Sequence, residues 1–120
     1  MPLIAHWFRA FLWTLAIEQV AAGWSLRRDV TPRRRIGLIG VCNLASHPAV
    51  WLVFPELGAG LGWTRLGTLA VSELWAFALE ALIYWLFLGP GRAGRAASTS
   101  ALANGLSLSL GFGLRALGWV

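Results

Sequence analysis

The sequence predicts an all-α fold, a bundle of four transmembrane helices that run up and down in a single domain over residues 1–120. Three observations support this prediction. Hydrophobic residues make up 58% of the chain and charged residues only 12%, about half the usual charged share. Four apolar stretches are long enough to cross a bilayer, and arginines gather in alternate connections between them. This composition excludes both an ordinary water-soluble domain of this size and a disordered chain.

The four apolar stretches are separated by short breaks that end helices. A transmembrane helix needs roughly 20 apolar residues. Pro32 lies in the charged first break and Pro90 lies among glycines in the third, and the second break is the glycine-rich turn 58–62. The short breaks indicate that successive helices are antiparallel neighbours. The predicted spans cover about residues 3–26, 36–57, 65–88 and 96–120.

The arginines predict an orientation. All ten basic residues are arginines, against five acidic residues, which gives a formal net charge of +5. Basic residues favour the cytoplasmic side of a membrane. The first and third connections are therefore expected to be cytoplasmic and both termini extracytoplasmic, in a multi-pass protein of the inner (plasma) membrane. The arginines expected to fix this topology and to contact anionic lipids are Arg27, Arg28, Arg33, Arg34, Arg35, Arg92 and Arg95.

The same arginine cluster excludes two other interpretations of the chain. It follows the first apolar stretch instead of preceding it, which does not fit a cleaved secretory signal. It has no interleaved aromatic residues and lies between two spans, so nucleic-acid binding is not expected. The expected surroundings are the lipid bilayer.

Polar side chains fall at one depth on four different helices. With a rise of about 1.5 Å per residue, four of them lie about 4–6 Å to the cytoplasmic side of the bilayer midplane, and His47 lies near the midplane itself. Ser107 shares a face of the last helix with Asn104, so Glu80 on the neighbouring helix is expected to meet Asn104 or Ser107. These four are Glu18, Asn43, Glu80 and Asn104, and the predicted polar layer consists of them together with His47 and Ser107.

The polar layer has two interpretations. In the first, which the sequence favours, its amide and hydroxyl groups form interhelical hydrogen bonds that fix the register, each contributing about 0.6–2 kcal/mol. In the second, Glu18 and Glu80 form a proton or cation site, because a charged side chain inside a span costs roughly 2.5–3.5 kcal/mol and calls for a functional reason. Nearer the outer side, Glu73 and Arg115 are predicted to form a structural ion pair.

His47 has three interpretations: a hydrogen-bonded residue of the bundle, a proton relay to Glu80, or a metal ligand. A haem shared with His6 is disfavoured because His6 lies about 10 Å nearer the outer surface, and the other ligands of a transition-metal site are missing. No metal or cofactor is expected. Pro48 follows His47 directly and is expected to bend the second helix, because proline removes a backbone hydrogen bond.

Nothing in the sequence indicates an enzyme. It contains no Gly-x-Ser-x-Gly, no His-Glu-x-x-His and no glycine-rich phosphate loop followed by Lys-Ser/Thr. The single cysteine, Cys42, excludes an internal disulfide framework and is expected to be a packing residue.

Three motifs follow one another along the second to fourth helices. They are Asn43-x-x-x-His47-Pro48, then Glu73-x6-Glu80-Ala81-x-x-Tyr84, and then Arg95-Ala96-x-x-x-Ser100-x-x-x-Asn104-x-x-Ser107. Together they resemble a pattern in small, uncharacterised bacterial four-helix membrane proteins. The resemblance implies the fold and the membrane location, and it brings no established activity.

The function expected from the sequence is that of a small non-enzymatic membrane component, a homo-oligomer or a subunit of a larger membrane complex. Small residues recur every fourth position on the last helix, a pattern that allows close helix approach within or between chains. The alternative is a proton- or cation-coupled small transporter or channel that uses the intramembrane carboxylates with the Asn and His side chains. Convergence of these groups on one cavity would favour the alternative. The small residues are Ala97, Ala101, Gly105, Ser109 and Gly113.

Overall fold

The computed structural model describes residues 2–119, which are helical over most of their length and contain no strand. The helices are α1 (Pro2–Ser25), α2 (Pro32–Pro48), α3 (Phe54–Gly60), α4 (Arg65–Leu88) and α5 (Ala93–Ala116). A π-helical segment, Ala49–Val53, joins α2 to α3, so these three form one rod that runs from Pro32 to Gly60. The chain thus has four long helical rods, and the predicted all-α four-helix fold is confirmed at that level.

The four rods form a ring. α1 packs against α2 and α5, and α4 packs against the same two helices, so α1 and α4 lie on one diagonal and α2 and α5 on the other. Because the connections are short, neighbouring rods are antiparallel. One end of the bundle therefore carries the connections 26–31 and 89–92, and we call it the arginine-rich end. The opposite end carries both termini and the turn 61–64.

The element boundaries differ from the predicted ones at three places. α2 begins at Pro32, four residues before the apolar stretch, because proline fits the first helical position, where its missing N–H is not needed. The second rod continues through Gly58 to Gly60 before the turn begins. The last helix ends at Ala116, and the predicted final residue of that span, Val120, lies outside the described residues.

The irregularity predicted at Pro48 takes the form of the π-helical segment. Proline has no N–H to donate to Leu44, so the regular ladder of i to i−4 hydrogen bonds is interrupted there. The wider turns of the π-helix follow immediately, at Ala49–Val53. The interruption is therefore absorbed next to His47 within one continuous rod.

The distribution of side chains is inverted relative to a water-soluble bundle. Glu18 and Glu80 are only 1% exposed and Asn43 is fully buried, whereas Leu74 and Leu86 are 65% and 68% exposed. The buried apolar groups include several alanines, such as Ala22 and Ala103, which let the helices approach closely. The polar groups lie inside and the large apolar groups outside.

The arginine-rich end is closed by polar contacts above an apolar plug. The Asp29 carboxylate accepts hydrogen bonds from Arg92 and from Arg95, whose Nε lies 3.1 Å from Oδ2. Arg95 also donates to the Ser25 carbonyl, and the Ser25 and Thr99 hydroxyls are 2.7 Å apart. Together these contacts tie α1 to α5. Below them lie the buried side chains of Leu26, Val30, Ile39, Cys42 and Tyr84.

Candidate functional site: two glutamates at the floor of a cavity

The carboxyl group of Glu18, on α1, accepts two hydrogen bonds from other helices. Asn43 Nδ2 on α2 lies 2.8 Å from Oε2, and Ser107 Oγ on α5 lies 3.1 Å from Oε1. Both donors are uncharged, so no cation of the protein neutralises Glu18 through these bonds. The cost of burying this carboxyl group is offset by hydrogen bonds alone.

Glu80, on α4, has the same kind of surroundings. Asn104 Nδ2 on α5 lies 2.8 Å from Oε2, and Ser46 Oγ on α2 lies 2.6 Å from Oε1. Ser100 lies beside this network, with its hydroxyl bonded to the Phe77 carbonyl of α4 at 2.8 Å. Each glutamate thus accepts one hydrogen bond from an amide N–H and one from a hydroxyl group.

The two environments are related by an internal repeat of the chain. Asn43-x-x-Ser46 on α2 corresponds to Asn104-x-x-Ser107 on α5, and each asparagine also donates to the carbonyl four residues before it, at 3.0 Å. Each glutamate takes its amide donor from its own helical hairpin and its hydroxyl donor from the other hairpin. The result is one network that links all four rods at a single level.

Hydrogen bonds join five of the six predicted members of the polar layer, and His47 is not part of this network. The sequence leaves one pairing open and misses one member. Ser107 bonds Glu18 instead of Glu80, because α5 packs against both α1 and α4. Ser46 is the member missed by the sequence reasoning. It stands three residues after Asn43, as Ser107 stands three residues after Asn104, and this repeated spacing was the available signal.

A cavity of about 620 Å³ extends from the glutamate network toward the end that carries the termini. Glu18, Ser46, Glu80, Asn104 and Ser107 lie at its floor. All four rods contribute to its wall. Its mouth is formed by exposed residues that include Pro55, Arg65 and Arg115. All members of the polar layer except Asn43 thus line one cavity, and none of the residues of the arginine-rich end contributes to its lining.

Glu73 and Arg115 both line the cavity, but they are not paired. The ion pairs within 4 Å in residues 2–119 are those of Asp29 with Arg92 and Arg95. The predicted ion pair between Glu73 and Arg115 is therefore absent from the described chain. Arg115 stands in the last turn of α5 and is exposed at the mouth, where water solvates its guanidinium group, whereas Glu73 lies farther inside.

His47 lines the cavity from within a group of aromatic rings. Its ring centroid lies 5.4 Å from that of Phe11, 6.2 Å from that of Trp51 and 6.4 Å from that of Trp7. It is 8% exposed, and its Nδ1 atom has no hydrogen-bond partner. Of the three interpretations of His47, that of a fully hydrogen-bonded bundle residue does not fit this geometry.

The remaining predicted residues lie outside the cavity. Arg27 stacks on Trp24, with its guanidinium carbon 4.3 Å from the ring centre. Arg92 and Arg95 hold Asp29. The described residues contain no cluster of three or more His, Cys, Asp or Glu side chains placed to hold a metal ion. Exposed positions beside the α2 start are occupied by Arg28, Arg33 and Arg34, and Arg35 is half-buried.

Comparison of the chain with protein-family models, curated proteins and solved structures gave no match. The interpretation of the site therefore depends on its geometry.

Proposed function

We propose that the chain is a multi-pass membrane protein whose four rods all cross the bilayer. Two segments, Pro32–Gly60 and Arg65–Leu88, are long and apolar enough to span a membrane. Only 33% and 17% of their most apolar stretches are buried in the bundle, whereas the core helix of a water-soluble protein is mostly covered, and this low burial supports the proposal. α1 and α5 contain more polar residues, but Glu18, Asn104 and Ser107 face the interior, which leaves an apolar outer surface for lipid.

Cysteine labelling tests the proposed orientation, with the arginine-rich end in the cytoplasm. Ala59 and Ala93 are both exposed, on opposite ends of the bundle, and the native Cys42 is fully buried. In intact cells, a membrane-impermeant maleimide is expected to label Ala59→Cys and not Ala93→Cys, with both labelled after lysis. The reverse pattern contradicts the orientation, and labelling of both in intact cells contradicts a stable membrane topology.

The function that the geometry supports best is proton- or cation-coupled transport through the bundle interior. The observation that carries this proposal is the pair of carboxyl groups, Glu18 and Glu80, which line one cavity in the interior of the bundle. A buried carboxyl group within a membrane span is costly unless it has a use. A site that is accessible from one side and sealed on the other by Asp29 and its arginines is what an alternating-access cycle requires in one of its states.

The Ser107 hydroxyl provides a local means of accommodating a proton. Its Oγ lies 3.1 Å from both Glu18 Oε1 and the Asn104 carbonyl oxygen, and a hydroxyl group has only one proton to donate. When Glu18 is ionised, Ser107 donates to it. When Glu18 is protonated, the carboxyl group donates to Ser107, which turns its own proton to Asn104. The network can therefore gain or lose a proton with a hydroxyl rotation.

Proton flux into liposomes tests the proposal. Purified protein is reconstituted with a pH-sensitive dye inside the vesicles, and an imposed pH gradient is expected to dissipate faster than in empty vesicles. Glu80→Gln keeps the shape of the side chain and removes its titration, so the protein-dependent flux is expected to fall at least ten-fold.

Glu56→Gln is the matched control. Glu56 is exposed on α3 outside the cavity, and its replacement is expected to leave the flux unchanged. Thermal unfolding in detergent verifies that both variants are folded. Full flux in Glu80→Gln, or no flux from the native protein, would contradict proton-coupled transport.

A different surface supports a second candidate function. In this function the chain is a non-enzymatic homo-oligomer or a subunit of a larger membrane complex. Four of the five small residues on α5 are exposed on the outside of the bundle and do not serve packing within the chain. Such a ridge allows a second helix to approach closely. A native protein that gives no flux, yet is recovered from the membrane with a second chain, would favour this function. The four residues are Ala101, Gly105, Ser109 and Gly113.

A further inference from the structure

We propose that the cavity binds a small organic cation, a primary ammonium group attached to an apolar body. This inference names a solute class for the transporter proposed above, and it rests on that function because it takes the intramembrane carboxyl groups as binding groups. The inference is supported by a carboxyl group of the cavity that no other side chain holds, by the apolar walls and by the depth order of the charges.

Glu73 is the carboxyl group that is free to bind a ligand. It lines the cavity seven residues before Glu80 on the same face of α4, about 10 Å nearer the mouth. Glu18 and Glu80 each have two donors within the protein, whereas no hydrogen bond holds the half-buried Glu73. A carboxyl group in an apolar wall gains most from a donor that also carries positive charge.

The walls of the cavity suit an apolar or aromatic body. Trp13 and Ile17 of α1, Trp51 of the π-helical segment, Leu69 of α4 and Phe112 of α5 contribute to the lining. Indole and phenyl faces attract cations as well as apolar groups. The volume of about 620 Å³ lies within the range of small-molecule sites, about 300–1,000 Å³. A ligand with a single aromatic ring fits with room to spare.

The positions of the charges favour a cation over an anion. Arg65 and Arg115 lie at the exposed mouth, where water and salt screen them within about 8 Å. Glu73 lies about 12 Å from Arg65 along the α4 axis, eight residues farther inside. In the less polar interior a charge acts more strongly than at the surface. The carboxyl groups inside the cavity, those of Glu73, Glu80 and Glu18, therefore determine which charge is held.

Equilibrium binding to the purified protein in detergent, without any gradient, tests the inference. The probe is 2-phenylethylamine, followed by isothermal titration calorimetry. Its neutral counterpart 2-phenylethanol and its anionic counterpart 3-phenylpropionate have the same ring and a similar length. The amine is expected to bind at least ten-fold more tightly than either. Equal affinities, or tighter binding of the anion, would overturn the inference.

Variants locate the bound ammonium group. Glu73→Gln is expected to weaken amine binding at least ten-fold and to leave the weak binding of 2-phenylethanol unchanged, whereas Glu56→Gln is expected to change neither. Unchanged amine binding in Glu73→Gln would also overturn the inference. The comparison of the three ligands on the native protein remains decisive if that variant does not fold.

The outcomes separate this inference from the proposed function. Proton flux in liposomes without selective amine binding contradicts the solute class and retains the transporter. Selective amine binding without proton flux supports the site and contradicts proton-coupled transport.

Discussion

Exchanging Asn104 for leucine is expected to lower the free energy of unfolding by about 1–3 kcal/mol, the cost of leaving a buried polar group without its partner. The substitution removes the N–H that bonds Glu80 Oε2 at 2.8 Å and the Ser100 carbonyl at 3.0 Å. Leucine has nearly the shape of asparagine, so the loss arises from the glutamate and not from a cavity. The measurement is the unfolding equilibrium in mixed micelles of a mild and a denaturing detergent.

Ser109→Ala is the matched control for this prediction. Ser109 is exposed on the same helix and bonds only the Gly105 carbonyl of its own backbone, so its loss is expected to cost less than about 0.5 kcal/mol. Asn43→Leu, at the equivalent position of the internal repeat, is expected to match Asn104→Leu. Equal stability of Asn104→Leu and Ser109→Ala would show that the hydrogen bond from the Asn104 amide group to Glu80 contributes little.

The double variant Glu80→Leu/Asn104→Leu separates the cost of the unpaired carboxyl group from the contribution of the pair. Replacing both partners by apolar residues removes the unpaired carboxyl group and leaves only the Ser46 hydroxyl without its acceptor, so part of the lost stability is expected to return. A loss of unfolding free energy in the double variant that exceeds the summed losses of the two single variants would contradict this account.

Exchanging Gly58 for alanine is expected to destabilise the protein by about 1–3 kcal/mol through overpacking. A Cβ at this position would lie 2.2 Å from Thr68 Oγ1, 3.1 Å from its Cγ2 and 3.2 Å from its Cβ. Rotating the threonine side chain exchanges one close atom for another, so the backbones of α3 and α4 must separate. The measurement is the midpoint of thermal unfolding in detergent.

Two further variants test this steric explanation. Gly60→Ala, two residues away, meets no atom within 4 Å and is expected to leave the midpoint unchanged or slightly higher. Adding Thr68→Ala to Gly58→Ala removes the two threonine atoms beyond Cβ and is expected to recover more than half of the loss. An unchanged midpoint in Gly58→Ala would show that the two helices are not held at the described separation.

The depth of the polar layer was predictable from the sequence because the rise of a helix is fixed. Counting residues from the ends of each apolar stretch places Glu18, Asn43, Glu80 and Asn104 at one level, and hydrogen bonds join them there. Helical phase also correctly predicted that these side chains face inward. Periodicity along one helix thus gave the members of the site.

The partners within the layer were not predictable in the same way. Which helices are neighbours across the ring depends on tertiary packing, so the sequence left open whether Asn104 or Ser107 meets Glu80. Asn104 bonds Glu80, and Ser107 bonds Glu18 of α1. The predicted Glu73–Arg115 pair assumed that two opposite charges on facing stripes meet, whereas the arginine can reach water at the mouth. The spacing of residues along a helix does not indicate whether a charged side chain will meet an opposite charge or reach solvent.

The backbone around Pro48 shows a similar limit. The sequence indicated an interruption, since proline cannot donate a hydrogen bond. It did not indicate that the chain would absorb the interruption as a π-helical segment of five residues and then continue as α3. The choice between a kink and wider turns depends on contacts with α4, which no local pattern specifies.

The exchange of hydroxyl donors between the two hairpins has a consequence for biogenesis. The Glu18–Asn43 bond lies within the first hairpin, whereas the Ser107 bond to Glu18 can form only after the last helix has been synthesised. Likewise, Glu80 can accept the hydrogen bond from Ser46 only when the second hairpin packs against the first. The two hairpins are therefore half-finished units that complete each other, and their docking is the step at which the protein acquires both of its finished carboxyl sites.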